Sequence, residues 1–92
     1  MILAEFIRNI HEVEDEFIIF QKHDLDIGSE IVLIHESVMD QTVIVKDGVE
    51  CHYLLEVDLA KDFVRDWKNS ISFIPTDEQI AQRIFQYAIN DA

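Results

Sequence analysis

Four histidines and one cysteine are the side chains of this sequence best suited to bind a metal or to act as nucleophile and base. The cysteine, Cys51, stands next to His52. Adjacent residues of a strand point to opposite faces, which would separate these two side chains. The spacing of His11, His23, His35 and His52 matches no compact zinc motif. We therefore expect no metal site, and a buried Cys51 that serves as a small core residue.

The segment Asp24–Glu30 resembles a calcium-binding loop in composition. In a loop of the EF-hand type, the glycine and the final glutamate come later than they do here. Gly28 is the fifth residue of this segment and Glu30 is the seventh. We expect a solvated acidic turn.

The abundance of carboxylates makes a glycosidase-like pair of acids uninformative, because such a pair would arise at this density in any case. The chain has no glycine-rich phosphate loop and no Gly-x-Ser-x-Gly elbow. A sizeable substrate cleft is also difficult to build from 92 residues. We expect neither an enzyme nor a bound cofactor.

Negative charge is concentrated in one half of the chain. Residues 12–58 carry thirteen carboxylates and two lysines, whereas the remainder carries six acids and five bases. The formal net charge is −12. Such a field attracts basic partners and speeds their arrival. It repels phosphates, so direct binding to nucleic acid or to an anionic membrane is not expected.

The composition is that of a globular domain. Hydrophobic residues make up 49% and charged residues 28%, close to the usual values of about 45–50% and about 25%. The length predicts a single domain, 1–92. One cysteine permits no internal disulfide and suits a reducing compartment. With neither a signal-peptide pattern nor an apolar stretch of the roughly 18 residues that span a bilayer, we expect a cytoplasmic protein.

Apolar spacing predicts a helix at the start of the chain and strands after it. Apolar residues at intervals of three and four predict a helix over residues 2–12. The runs 17–20 and 31–34 are apolar at every position, which predicts strands buried on both faces. Residues 42–45 predict a third strand, and Asp47-Gly48 predicts a tight hairpin turn after it.

Alternation after the turn predicts a fourth strand, followed by two helices. Asp58 is the predicted N-cap of the first of these helices. Thr76 and Gln79 fit a capping box that begins a last helix over about 77–90. The alternation places five side chains of the fourth strand on one buried face: Val49, Cys51, Tyr53, Leu55 and Val57.

The predicted order is therefore α-β-β-β-β-α-α. Consecutive strands flanked by helices indicate the α+β class, with a mostly antiparallel sheet of about four strands and helices packed on one face. We expect the carboxylates on the other face of the sheet and around the loop rims. Phe63, Trp67 and Phe85 are candidate anchors for a partner, but their helical spacing predicts core positions first. Tyr53 and Tyr87 allow the same two interpretations.

Two segments resemble an uncharacterised family of small acidic bacterial proteins. One is Tyr53–Val64, which reads YLLEVDLAKDFV, and the other is Ile84–Ala92, which reads IFQYAINDA. The opening segment Leu3–Ile10, followed by an acidic stretch, resembles that family as well. The family is similar to the immunity proteins of bacterial toxin–immunity pairs, including those of contact-dependent growth inhibition. The resemblance implies an antitoxin role and supplies no set of binding residues.

Charge and resemblance together predict an immunity protein that neutralises a basic toxin domain of the nuclease class, as a monomer in a 1:1 complex. An acidic surface would cover the toxin's positively charged cleft. Two alternatives remain open: an anti-restriction or anti-CRISPR mimic of nucleic acid, and a non-catalytic adaptor whose acidity only serves solubility. The predicted partner-binding residues rest on charge alone: Glu12, Glu14, Asp15, Glu16, Asp24, Asp26, Glu30, Glu36, Asp40, Asp47 and Glu50.

Overall fold

The computed structural model describes residues 1–38 and 41–91, with Val38 and Asp91 described by their backbone only. The predicted element order, α-β-β-β-β-α-α, is confirmed. Two short 3-10 helices, Ile10–Glu12 and Glu36–Val38, accompany these elements. The seven main elements are α1 (Leu3–Arg8), β1 (Phe17–Lys22), β2 (Ile31–His35), β3 (Val43–Lys46), β4 (Val49–Glu56), α2 (Val57–Ser70) and α3 (Asp77–Asp91).

The four strands form one curled, antiparallel sheet in the order β2-β1-β4-β3. Its hairpin turn uses positive φ angles at both Asp47 (54°) and Gly48 (78°). This is the conformation that a two-residue turn of type I′ requires, and it lies where the sequence predicts a tight hairpin turn. β1 is central, and Ile18, Ile19 and Phe20 are buried. β2 lies at an edge, so its residues 32–34 are only half-buried, and the prediction of burial on both faces is wrong there.

A bulge in β4 changes the face to which its side chains point. Ile19 pairs with Leu55 whereas Phe20 pairs with Tyr53, which leaves Leu54 as the extra residue. Leu54 and Leu55 both pack in the core beneath the helices, and Tyr53 packs on the opposite face. The predicted alternation is therefore wrong beyond Tyr53, because one extra residue reverses the parity of those that follow.

The main core lies between the sheet and the three helices. Helix boundaries differ from the prediction in two places. α1 ends at Arg8, and the chain continues as a 3-10 helix after Asn9. α2 begins at Val57 directly after β4, so Asp58 is not its N-cap; the Asp58 carboxylate instead accepts a hydrogen bond from the Leu59 amide at 2.7 Å. Core residues from the helices and the sheet include Leu3, Phe6, Ile10, Ile19, Leu54, Val64 and Ile84.

The face of the sheet away from the helices is apolar, contrary to the expectation that carboxylates concentrate there. Ile18, Phe20 and Cys51 are buried on this face, and half-buried apolar residues of β2, β3 and β4 pack around them. Glu56 pairs with Ile18 and so shares this face, where its carboxylate accepts a hydrogen bond from the Tyr53 hydroxyl at 2.5 Å. Burial and the Glu56 carboxylate raise the pKa of Tyr53 above its usual value. The carboxylates of the sheet therefore lie mainly at its two ends.

Within residues 1–38 and 41–91, no helix is both long enough and apolar enough to cross a bilayer.

Candidate functional site

The predicted binding residues divide into two clusters at opposite ends of β1. One group precedes β1 or follows its neighbour β2, and we call it the β1-start cluster. The other lies in the β1–β2 loop and the β3–β4 hairpin, and we call it the β1-end cluster. Asp40 lies outside the described residues. The β1-start cluster is Glu12, Glu14, Asp15, Glu16 and Glu36, and the β1-end cluster is Asp24, Asp26, Glu30, Asp47 and Glu50.

The two clusters are separate surfaces. β1 has six residues, which at about 3.4 Å each gives a separation of about 20 Å. Electrostatic screening reduces interactions between exposed charges beyond about 8 Å at physiological ionic strength. The ten predicted residues that the structure describes therefore do not act as one continuous acidic surface.

Lys61 of α2 fixes the shape of the β1-start cluster. Its ammonium group donates hydrogen bonds to the Val13 carbonyl oxygen at 2.5 Å and to Asp15 Oδ1 at 2.6 Å. The Glu36 amide donates to the Glu16 carbonyl oxygen at 2.8 Å, which joins the end of β2 to the start of β1. The segment 11–16 and Lys61 line a shallow concavity of about 400 Å³.

Most carboxylates of the β1-start cluster are free of cations. Glu12, Glu14, Glu16 and Glu36 are exposed, and none of them has an ion pair within residues 1–38 and 41–91. Lys61 neutralises Asp15 only. This cluster is thus a fixed surface whose charge is left for an external cation.

Gln21 holds the loop that carries three members of the β1-end cluster. Its fully buried side chain donates from Nε2 to the Asp26 carbonyl oxygen at 2.7 Å, and its Oε1 accepts from the Asp26 amide at 3.2 Å. Within the loop, Asp26 Oδ2 accepts from the Gly28 amide at 3.0 Å, and the Ser29 hydroxyl donates to the Asp24 carbonyl oxygen at 2.9 Å. These hydrogen bonds give polar groups of the loop partners within the chain itself.

Cations of the chain neutralise part of the β1-end cluster. Glu30 lies 3.1 Å from the Lys22 ammonium and 3.4 Å from the amino group of Met1. The hydrogen bond and charge of Lys22, with a smaller effect of the amino terminus, hold the pKa of Glu30 below its ordinary value. Glu50 lies 3.1 Å from His52 Nε2, a contact that is an ion pair only when the imidazole is protonated, and the Asp26 carboxylate accepts a hydrogen bond from the Gly28 amide. Among the described residues, Asp24 and Asp47 are thus the two carboxylates of the β1-end cluster without a polar contact, against four in the β1-start cluster. The β1-start cluster is therefore the better candidate for binding a basic partner.

The aromatic residues of α2 and α3, predicted as core positions first, lie at the margin of the core. Phe63, Trp67, Phe85 and Tyr87 are all half-buried and pack against the buried core residues. Phe63, Trp67 and Tyr87 line a groove of about 370 Å³ between α2 and α3, together with Leu59. The sequence carried one signal of this groove, because an aspartate, Asp62 or Asp66, directly precedes each of the two aromatic residues of α2.

Cys51 and the histidines do not form a common site in the described part of the chain. Cys51 is buried, and its thiol approaches the Val49 carbonyl oxygen at 3.6 Å. Cys51 pairs with Lys22 and Ile44, whereas His52 pairs with Gln21 and Val43, so the two side chains lie on opposite faces as predicted. In the described part of the chain, no three His, Cys, Asp or Glu residues form a group that could hold a metal ion.

Comparison with known proteins assigns no function, so a functional proposal depends on the candidate site. No family model, no curated protein and no solved structure matches this chain. The resemblance to immunity proteins described from the sequence therefore stays a hypothesis.

Proposed function

We propose that this protein is a cytoplasmic immunity protein that binds and neutralises a basic bacterial toxin domain of the nuclease class. The observation that carries the proposal is the β1-start cluster, in which four exposed carboxylates have no cation among the described residues. Stability alone gives no reason to gather like charges without partners, since their mutual repulsion opposes folding. A basic partner removes that repulsion on binding.

Inhibition requires no catalysis by this chain. A nuclease holds phosphate groups in a positively charged cleft, and the carboxylates of Glu12, Glu14, Glu16 and Glu36 present a comparable series of anionic oxygens. When they occupy the cleft, they exclude the nucleic acid substrate. Long-range attraction also raises the association rate, which suits an inhibitor that must bind before the toxin acts. A monomer in a 1:1 complex with an interface of about 1,600 Å² is sufficient for this role.

The hydrogen bonds of the Lys61 side chain support the same proposal. They hold the segment 13–15 against α2 at distances of 2.5 and 2.6 Å. Because the backbone that bears Glu14 and Glu16 is fixed before a partner arrives, less conformational entropy is lost on binding. A surface that served only solubility would need no such constraint.

Affinity capture from an extract of the source organism, first at low and then at moderate salt, tests the proposal. We expect one stoichiometric basic protein that survives moderate salt and whose nuclease activity is inhibited by this chain. A broad set of basic proteins that washes off as salt rises would contradict the immunity function, because the charge would then act without specificity.

Matched charge reversals test the assignment of the surface. The double variant Glu14→Lys/Glu36→Lys should weaken binding to the captured protein by roughly ten-fold or more, mainly through a slower association rate. The variant Asp24→Lys/Asp47→Lys changes the net charge by the same amount in the β1-end cluster and should have a smaller effect. Equal losses in both variants would show that net charge alone governs binding, and no loss in either would contradict the electrostatic mechanism.

A further inference from the structure

The outer edge of β3 has main-chain groups that no described residue uses. β3 is the last strand of the sheet and pairs only with β4. The Tyr53 amide donates to the Thr42 carbonyl oxygen at 2.8 Å, so the main chain of Thr42 faces β4. Because this direction alternates along a strand, the amide and carbonyl groups of Val43 and Val45 point away from the sheet. They have no hydrogen-bond partner within residues 1–38 and 41–91.

The side chains of this edge are apolar, and two of them are exposed. Val45 is 72% exposed and Val43 is 39% exposed, whereas Ile44 packs against the apolar face of the sheet. Proteins usually protect an unpaired edge with charged residues, proline or a bulge. The segment 43–45 contains none of these. A short β-branched edge of this kind is well suited to pair with another strand.

The chain itself protects the opposite edge of the sheet. At the start of β2, the Ile31 amide donates to the Met1 carbonyl oxygen at 2.7 Å, and Ile2 forms an isolated bridge with Glu30. The side chains of residues 32–35 are half-buried. Among the described residues, β3 has no comparable cover, so it is the edge that is open to a partner.

We propose that the outer edge of β3 is the docking site for an extended segment of the basic partner, which adds a fifth antiparallel strand to the sheet. The proposal rests on the proposed function, since it concerns the same partner. The free groups of Val43 and Val45 recur at two-residue spacing, about 7 Å, which matches the main chain of a strand. A helix cannot supply their partners, because its own main-chain groups are hydrogen-bonded internally.

The surroundings of the edge specify the side chains of that segment. Residues opposite Val43 and Val45 lie on the same face as these valines, where apolar side chains pack on them. Asp47, directly after β3, is exposed and has no polar contact among the described residues. A lysine or arginine two positions before the residue opposite Val45 lies next to this carboxylate. The segment therefore has the pattern basic-x-apolar-x-apolar, which fits a basic partner.

A second copy of this chain is a poorer occupant of the edge. Two β3 strands that pair with each other would contribute only four residues from each copy, whereas a stable interface has roughly 20–30 residues a side. Each copy also carries a net charge of −12, which opposes association. The same charge attracts a basic partner.

One basic partner can contact the edge of β3 and the β1-start cluster together. β3 lies two strands from β1, which corresponds to about 10 Å across the sheet. The β1-start cluster lies at most about 20 Å further along the strands. A patch of about 800 Å² on each partner is roughly 30 Å across, so a single interface of ordinary size covers both.

The test uses the peptide acetyl-Lys-Thr-Val-Thr-Val-Thr-amide as the probe and amide NMR with hydrogen exchange as the readout. In antiparallel register, its lysine lies next to Asp47 and its two valines lie opposite Val45 and Val43. We expect saturable binding at millimolar peptide and slower exchange of the Val43 and Val45 amides. Exchange of the Ile44 and Lys46 amides, which already face β4, should change little.

Two N-methylated peptides separate strand addition from other modes of binding. Methylation of both valines removes the two amides that donate to β3 and should weaken binding about ten-fold or more. Methylation of the first two threonines removes the same number of amides, but these point away from β3. That peptide should bind within about two-fold of the unmethylated one.

Variants of the chain give a matched pair. Val45→Pro removes an amide that faces outward and leaves the hydrogen bonds to β4 in place, so the peptide should bind about three- to ten-fold more weakly. Val45→Thr keeps that amide and should bind within about two-fold of the original chain.

The proposal is wrong if exchange of the Val43 and Val45 amides does not slow, or if the two methylated peptides bind equally. Protection of these amides that rises with the concentration of the chain alone would identify a second copy as the occupant and would also overturn it. These readouts involve no toxin, so their failure leaves the proposed function standing. Conversely, failure to capture a basic nuclease would overturn the proposed function without changing the result for the peptide.

Discussion

At the scale of single residues, Gln21 determines how the β1–β2 loop is held. It is the one polar residue among the described side chains that is fully buried. Its carboxamide matches the amide and the carbonyl of Asp26, so both groups are satisfied at a point where the loop leaves the sheet. A sequence pattern cannot identify this role, because an isolated glutamine after an apolar run is more often exposed.

We expect Gln21→Leu to lower the free energy of unfolding by about 1–3 kcal/mol. The apolar side chain fills similar space but removes both hydrogen bonds of Gln21, which leaves the Asp26 amide without its partner and the Asp26 carbonyl oxygen with the Ser29 amide alone. Gln82→Leu, at an exposed position of α3, is the matched control and should change stability by less than about 0.5 kcal/mol. Urea unfolding followed by circular dichroism measures both, and equal midpoints for the two variants would contradict this role of Gln21.

At the scale of elements, α2 connects the two candidate surfaces. One side of the helix places Lys61 against the acidic segment 13–15, and another side lines the aromatic groove through Phe63 and Trp67. Its residues Ala60 and Val64 are buried in the core. The helix therefore has little freedom to move relative to the sheet, and both surfaces keep a fixed relation.

We expect Lys61→Met to loosen the β1-start cluster. The variant loses the hydrogen bonds to Val13 and Asp15, which should lower the free energy of unfolding by about 1–2 kcal/mol. Because the Asp15 carboxylate is exposed, its ion pair contributes little, and the loss of unfolding free energy should lie near the lower of these two values. Amide hydrogen exchange of residues 13–16 should also become faster.

Lys68→Met is the matched control for this prediction. Lys68 lies on the same helix, is exposed, and has no ion pair within the described residues. It should change neither the unfolding free energy nor the exchange of the acidic segment. Similar effects of the two substitutions would mean that lost positive charge, and not the Lys61 contacts, stabilises the segment.

At the scale of the whole molecule, the net charge of −12 makes stability depend on how each carboxylate is paired. Glu14 has no cation partner among the described residues, whereas Glu30 lies between Lys22 and the amino group of Met1. Removing one negative charge therefore has opposite consequences at the two positions. At Glu14 the repulsion from neighbouring carboxylates falls, whereas at Glu30 the attraction to two cations is lost.

We expect Glu14→Gln to raise the urea midpoint at low ionic strength and Glu30→Gln to lower it. Added NaCl should reduce both differences, since the charges are exposed. Because the folded-state pKa of Glu30 is lowered from its ordinary value of 4.5, its ion pairs contribute fully above that pH. Their contribution is lost as the pH falls through the lowered pKa, so the effect of Glu30→Gln should disappear in acid. Midpoint shifts of equal sign at neutral pH would contradict this account.

Features that depend on neighbours along the chain follow from the amino-acid sequence alone. Apolar spacing predicted the order of helices and strands, and Asp47-Gly48 predicted the tight hairpin turn. The capping box was also predictable: Thr76 and Gln79 exchange hydrogen bonds of 2.9 and 3.2 Å as their spacing requires. Each of these features is fixed by residues fewer than about five positions apart, where propensity and turn chemistry act directly.

The way in which those elements combine into surfaces depends on contacts between distant parts of the chain. The bulge at Leu54 reverses the faces of β4, and the strand order places the predicted carboxylates at two ends of the sheet. Asp15 meets Lys61 across 46 positions, while the groove joins two helices that the sequence treats separately. Register, ion pairing and grooves arise from contacts between residues distant in the chain, and local periodicity carries no information about which distant residues meet.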